Sequence, residues 1–356
     1  MVVARSKPPA ESSLLGRLSR LSGEQGSETI SRRLLSLESI LTKDLARVEA
    51  ALSEVVTPEH IAGQSASQLL SLSGKRLRPL CVALAARTGA GFNSAALNIG
   101  VAVELVHSAT LLHDDVVDVG TTRRNQPCAR LLYGNAAAIF GGDWLLVAAL
   151  RRVIASGLPG AVEEVLDVIE KMIEAEAMQL EARGSLDFDI NNYMRIIEGK
   201  TAVLFHWAMG AGARSGEQTD DAVQALENYG RNLGLAFQIV DDTLDLTGEA
   251  AVTGKALFTD LREGKMTYPL IVGAQRDKGL VANLEEVSAN DAADELPLDL
   301  RHSILDSLIK SGAVETSMAF ARDLSDQARK SLSVLPPSAA RTALELVAEE
   351  ALHRKS

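Results

Sequence analysis

The chain has 356 residues, 46% of them hydrophobic and only 4% aromatic, and carries a formal net charge of −11. That length fits one large domain, whose core must be built from Leu, Ala, Val and Ile. The acidic balance excludes nucleic acid or an anionic membrane surface as a partner held by bulk charge. Two cysteines, Cys81 and Cys128, exclude a disulfide framework and point to a reducing, cytoplasmic setting.

Residues 1–28 are rich in Ser, Gly, Arg and Glu and read as a disordered extension. Arg5, Lys7, Arg17 and Arg20 leave an organelle transit peptide open as an alternative, with Glu11 and Glu24 counting against it. No apolar run approaches the length that spans a bilayer. From Glu28 to Val56 the residues Ile30, Leu34, Leu37, Leu41, Leu45, Val48 and Leu52 repeat at helical spacing. A basic turn, Gly74-Lys75-Arg76-Leu77-Arg78-Pro79, precedes an apolar helix from about Leu80 to Arg87. A long buried helix follows over Ala95–Val119, then a polar loop with Arg123 and Arg124, then a helix over Ala136–Ser156. After the break at Gly157–Gly160, helical patterns cover Ala161–Glu181, Ile190–Ala213, Ala222–Leu246 and Thr267–Gln275. An acidic loop near Asn290–Asp299 leads into two or more C-terminal helices. Residues 29–356 show no composition shift and no internal repeat, so the expected fold is all-α: a single large helical bundle around a central cavity.

Two stretches carry the chemistry. Asp114-Asp115-Val116-Val117-Asp118 closes an apolar helix, and Asp114 and Asp118 lie one turn apart, roughly 6 Å between Cα atoms. Carboxylates so placed repel unless a cation sits between them, and oxygen-only ligands favour a hard ion such as Mg²⁺ that shares substrate phosphate oxygens. Asp241-Asp242-Thr243-Leu244-Asp245 repeats the design at the end of a second apolar helix. Two such clusters suit a multi-metal diphosphate site. Cations accompany both: Lys75, Arg76 and Arg78 in the basic turn, Arg123 and Arg124 after the first cluster, and Lys255 and Lys265 bracketing a loop after the second. Lys200-Thr201 interrupts an apolar helix, where a lysine needs a partner. His107 falls two turns before Asp114, as either a core histidine or a hydrogen-bond donor to phosphate. Zinc is disfavoured for want of Cys or His partners at ligand spacing, and Met172 and Met178 read as core.

On the stretches GKRLRP (74–79), HSATLLHDDVVD (107–118), RRNQP (123–127), GLAFQIVDDTLD (234–245) and DLREGK (260–265), the chain resembles the trans-isoprenyl diphosphate synthases, especially long-chain members such as octaprenyl diphosphate synthase. The resemblance implies a Mg²⁺-dependent prenyltransferase in which the aspartates 114, 115, 118, 241, 242 and 245 form the metal region, with three ions per site once substrate is bound. It puts the allylic diphosphate on Arg123, Lys200, Thr201, Gln238, Lys255 and Lys265, and isopentenyl diphosphate on Lys75, Arg78, His107 and Arg124. It implies a homodimer, with at most transient membrane contact for release of a lipid product. The sequence departs from the family pattern at Ser73, Asn125, Phe258 and Thr259. Ala109, Val106 and Ala102 form a stripe of small residues leading away from the first cluster, so a long product of about six to ten isoprene units is expected by analogy. The competing readings are a farnesyl- or geranylgeranyl-length synthase, a terpene cyclase, and a non-catalytic subunit of a heteromeric synthase.

Overall fold

A computed structural model of the chain describes residues 28–55, 57–72, 74, 76–123, 126–248, 257–289 and 296–353, and for residues 28–39 the backbone alone. The extension before residue 28 and the sequence-predicted site residues Lys75, Arg124 and Lys255 lie outside the described residues, as do Ser73 and Asn125.

The helices are α1 (Glu28–Ser53), α2 (Ile61–Ser71), α3 (Leu77–Arg87), α4 (Ser94–Val117), α5 (Ala129–Tyr133), α6 (Asn135–Ser156), α7 (Ala161–Ala182), α8 (Ile190–Ile197), α9 (Val203–Ser215), α10 (Asp220–Thr247), α11 (Thr259–Arg262), α12 (Tyr268–Arg276), α13 (Lys278–Ala289), α14 (Leu298–Lys310), α15 (Ala313–Ser331) and α16 (Ala339–Glu350). The two long helices that carry the acidic clusters begin at side-chain caps. Asn93 accepts from the Ala96 amide at the start of α4, and Thr219 from the Ala222 amide at the start of α10. Helix α4 is buried on nearly every side, packed chiefly against α6, α3 and α9. It is long and apolar enough to cross a bilayer, contrary to the sequence reading, but two-thirds of its apolar window (67%) is buried inside the protein. A helix hydrophobic all round serves equally as the centre of a soluble bundle.

Two further differences from the sequence reading bear on the site. The polar loop after the first cluster is a minimal antiparallel hairpin, Thr122–Arg123 paired with Gln126–Pro127. The pattern over Ile190–Ala213, read as one helix, is split by a π-helical turn at Glu198–Ala202, where the Val203 amide donates to the Glu198 carbonyl. A π turn adds one residue and shifts the helical phase, a local change that the apolar periodicity of a long stretch does not single out.

The core has two apolar clusters that meet at this turn. Ala202 belongs to the cluster built by α8, the second half of α10 and α12–α15, whereas Val203 belongs to the larger one around α3, α4, α6 and α9. Gly234 of α10 sits at the same junction: a Cβ there would lie 2.6 Å from the Ala202 Cα and 3.2 Å from the Phe205 ring. The expected result of Gly234→Ala is a loss of about 2 kcal/mol from overpacking against backbone, read as a lowered urea midpoint with unchanged helix content.

Candidate active site

The acidic ends of α4 and α10 are the starting point. Carboxylates at helix C-termini face the negative end of the macrodipole as well as one another, so each needs a compensating partner. Asp118 has two: Lys265 Nζ stands 3.0 Å from Oδ2, and Arg183 donates to Oδ1. Burial alone would raise the Asp118 carboxyl, but Lys265, Lys200 and Arg183 outweigh it and hold the group below the usual range. Asp114 is left differently. Burial pushes it up to about 7, Glu176 and Asp118 add to the rise, and Lys200 and Arg123 only partly oppose it. A buried carboxyl with too little positive charge near it fits a hard divalent cation, and nothing softer than oxygen is offered.

The remaining carboxylates of the clusters are held by the protein. Asp115, 3% exposed, accepts through Oδ1 from Arg123 Nε at 2.9 Å and Nη2 at 2.7 Å. Asp242, 4% exposed, accepts from Tyr193 Oη and Gln238 Nε2, each at 2.7 Å. Burial and Asp260 push its carboxyl well above the usual range, while those two donors oppose the rise. Asp245 accepts from the amides of Thr259 at 3.1 Å and Asp260 at 3.2 Å, tying α10 to the loop that leads to Lys265. The resemblance puts Mg²⁺ on Asp114, Asp118 and Asp241 within a metal region of six aspartates; here Asp115, Asp242 and Asp245 also accept from protein donors and tie neighbouring segments to the helix ends. Arg123, which the resemblance assigns to a diphosphate, pairs here with Asp115.

Lys200, Thr201, Gln238, Asp242 and Lys265 line one cleft, together with Gln179, Tyr193, Asp260 and Thr267. Lys200 has the partners that its apolar helix required: Gln179 Oε1 at 2.7 Å and the Glu176 carboxylate, both on α7. The close approach of α7 depends on Gly199, whose Cβ would meet Ala175 Cβ at 2.7 Å. Thr201 donates to Gln238 Oε1 at 2.7 Å, which leaves its oxygen to the cleft as an acceptor. Lys265 pairs with Asp118 of the first cluster and with Glu263. Burial would depress its ammonium, but Glu263, Asp118 and Asp260 raise it above the ordinary value, so it stays charged. Arg78 and His107 lie outside this cleft's lining. The Arg78 guanidinium stacks 4.7 Å from the Phe205 ring centroid, and His107 is half-buried on α4.

Sequence reasoning missed Glu176, Gln179 and Arg183, which share one face of the α7 end at helical spacing. Their helix is rich in glutamates, and a charged stripe on such a helix reads as solvated surface. It also missed Tyr193, Asp260 and Glu263. Phe258, a departure from the family pattern, adopts φ 60° with its ring 3% exposed. The backbone there is the left-handed kind that favours glycine, and burial of the ring offsets the strain. No three acidic, cysteine or histidine side chains form a ready-made metal cage among the described residues.

The polyprenyl synthetase family model matches residues 59–298. The octaprenyl diphosphate synthase of Escherichia coli is 32% identical over 90% of this chain and 99% of its own. A short chain isoprenyl diphosphate synthase of Methanothermobacter thermautotrophicus is 34% identical over 87% of this chain and 94% of its own. The crystal structure of a polyprenyl synthase from Caulobacter crescentus, complexed with calcium and isoprenyl diphosphate, superposes with a TM-score of 0.83 at 33% identity, covering 98% of this chain and all of that one.

Removal of the Tyr193 hydroxyl in Tyr193→Phe strips one donor from the buried Asp242. The expected cost is about 1–2 kcal/mol in urea denaturation, and an unchanged midpoint would show that Asp242 is not held in this way.

Proposed function

The chain belongs to the polyprenyl synthetase family and is a trans-prenyl diphosphate synthase, and from that premise we propose that it condenses isopentenyl diphosphate with an allylic prenyl diphosphate to give a long all-trans product of about C30–C50. One observation supports this reading above the others. Lys265, paired with Asp118 at the end of α4, lines the same cleft as Lys200, Thr201, Gln238 and the Asp242 of α10.

In this reading Asp114, Asp118 and Asp241 hold Mg²⁺, three ions per site with substrate present. Mg²⁺ held there would supply Lewis-acid neutralisation of the departing diphosphate. Lys200 and Lys265, fixed by their carboxylate and amide partners, add stationary positive charge on the diphosphate side. Thr201, committed as a donor to Gln238, turns its oxygen toward the cleft, where an acceptor favours a developing allylic cation. Arg78 and His107, with Lys75 and Arg124, hold isopentenyl diphosphate so that its double bond meets the allylic carbon, and positioning of the two reactants supplies much of the acceleration.

Product length is carried by α4. Ala109, Val106 and Ala102 are fully buried and small, and in this reading they leave room for a growing chain beneath the first cluster. Relatives bearing names from short-chain to octaprenyl synthase leave both ends of the range represented. A homodimer is supported by the outer faces of α6 and α7. Phe140, Val147 and Ile154 on one, and Leu166, Ile173 and Leu180 on the other, recur every seven residues and are 47–65% exposed. Isolated exposed apolar residues are ordinary, but a continuous two-helix stripe favours a second copy of the chain. Both cysteines are free and buried, which supports a cytoplasmic setting; contact with membrane is then transient, at product release.

Purified protein incubated with Mg²⁺, labelled isopentenyl diphosphate and farnesyl diphosphate is expected to yield products of about thirty carbons or more. Products of fifteen or twenty carbons would keep the enzyme and overturn the length, and no incorporation with any starter would favour the non-catalytic subunit. Ala109→Phe is expected to shorten the product by several units, resolved by thin-layer chromatography. Ile173→Asp is expected to convert a sedimenting dimer to monomer; an unchanged sedimentation coefficient would place the interface elsewhere.

A further inference from the structure

Arg76 has no part in the chemistry described so far, yet its surroundings are unusual for a surface turn. It lies between Lys75 and Leu77 at the entry to α3 with φ 48°, a left-handed conformation that a non-glycine residue adopts at a cost. Its side chain turns inward and is 8% exposed. Nε donates to Glu49 Oε1 at 2.5 Å and Nη2 to Glu49 Oε2 at 3.3 Å, while Nη1 donates to Glu104. Glu49 comes from α1, and Glu104, 2% exposed, from the middle of α4. Burial would lower the Arg76 guanidinium; its two carboxylate partners raise it above the ordinary value.

Buried ion pairs contribute little net stability compared with a well-packed apolar residue, so stability is a poor account of this one. What the pair does deliver is registration. Glu104 stands three residues before His107 on α4, on a neighbouring position of the same face. Arg78 follows Arg76 by two residues, in the first turn of α3. One guanidinium therefore joins the turn bearing Lys75 and Arg78 to the helix bearing His107.

We propose that Arg76 is a positioning residue for isopentenyl diphosphate: clamped by Glu104 and Glu49, it fixes the basic turn against α4 so that the cations on both elements meet one diphosphate. The proposal rests on the assignment of Arg78 and His107 to that substrate. The left-handed backbone and the charge are separable by mutation. Arg76→Gly keeps the backbone free of strain and removes the clamp. Its expected effect is a rise of about tenfold or more in the KM for isopentenyl diphosphate, with the KM for farnesyl diphosphate changed less than about twofold. The double variant Arg76→Met/Glu104→Gln removes both buried charges and guards against a fold lost to a stranded carboxylate; it is expected to show the same selective rise, and Arg76→Lys a partial one. Wild-type KM for isopentenyl diphosphate in Arg76→Gly, an equal rise for both substrates, or full recovery in the double variant would each overturn the clamp. His107→Ala serves as the control on the assignment itself. If it too leaves the KM for isopentenyl diphosphate unchanged, the subsite is elsewhere and the clamp falls with it.

Discussion

Repulsion among carboxylates organises this protein. Helices α4 and α10 are apolar enough to form the centre of a bundle, and each delivers a cluster of aspartates at the end where the helix dipole is already negative. Left alone, such groups would protonate or pull apart. The chain answers with cations drawn from distant segments. Arg123 comes from the hairpin after α4, Arg183 from the end of α7, Lys200 from the π turn and Lys265 from the loop after α11. Much of the tertiary arrangement around the cleft follows from bringing these residues within reach.

Most carboxylates of the acidic motifs are held by protein donors, Asp118 among them through Lys265 and Arg183. Asp115, Asp242 and Asp245 are spent on arginine, tyrosine, glutamine and backbone amides, and so hold the hairpin, α8 and the loop after α10 in place. Burial outweighs the positive charge near Asp114, and a cation bound beside it would favour its charged form. The chain Tyr193, Asp242, Gln238, Thr201 shows how far one held carboxylate reaches along the cleft wall, since each hydrogen bond sets the direction of the next.

The fold class and most helix boundaries were legible in the sequence because apolar periodicity is a local signal, and the long helices of this chain obey it closely. The two acidic clusters were legible because they repeat, with the same spacing, in the same apolar context. What stayed hidden depends on pairing across the fold. Glu176 and Gln179 acquire meaning only when the π turn brings Lys200 against α7. Arg183 does so only because its helix ends beside Asp118. The inward turn of Arg76 could not be read from a cluster of three basic residues that look alike in sequence. The strain at Phe258 was visible only as a missing glycine.

The π turn at Glu198–Ala202 makes the phase of this helical stretch a matter of residue count. A single extra residue rotates everything after it by about 100° relative to everything before. Upstream, Tyr193 and Ile197 face one apolar cluster; downstream, Val203, Leu204 and Phe205 face the other. The added residue allows one continuous stretch of helix to serve two cores and to present Lys200 and Thr201 at the seam between them. Length is therefore more constrained here than composition. Many side chains could be exchanged within the turn with local consequences, but a one-residue deletion would restore a regular helix and turn one core's face outward while leaving every chemical group in the segment nominally intact.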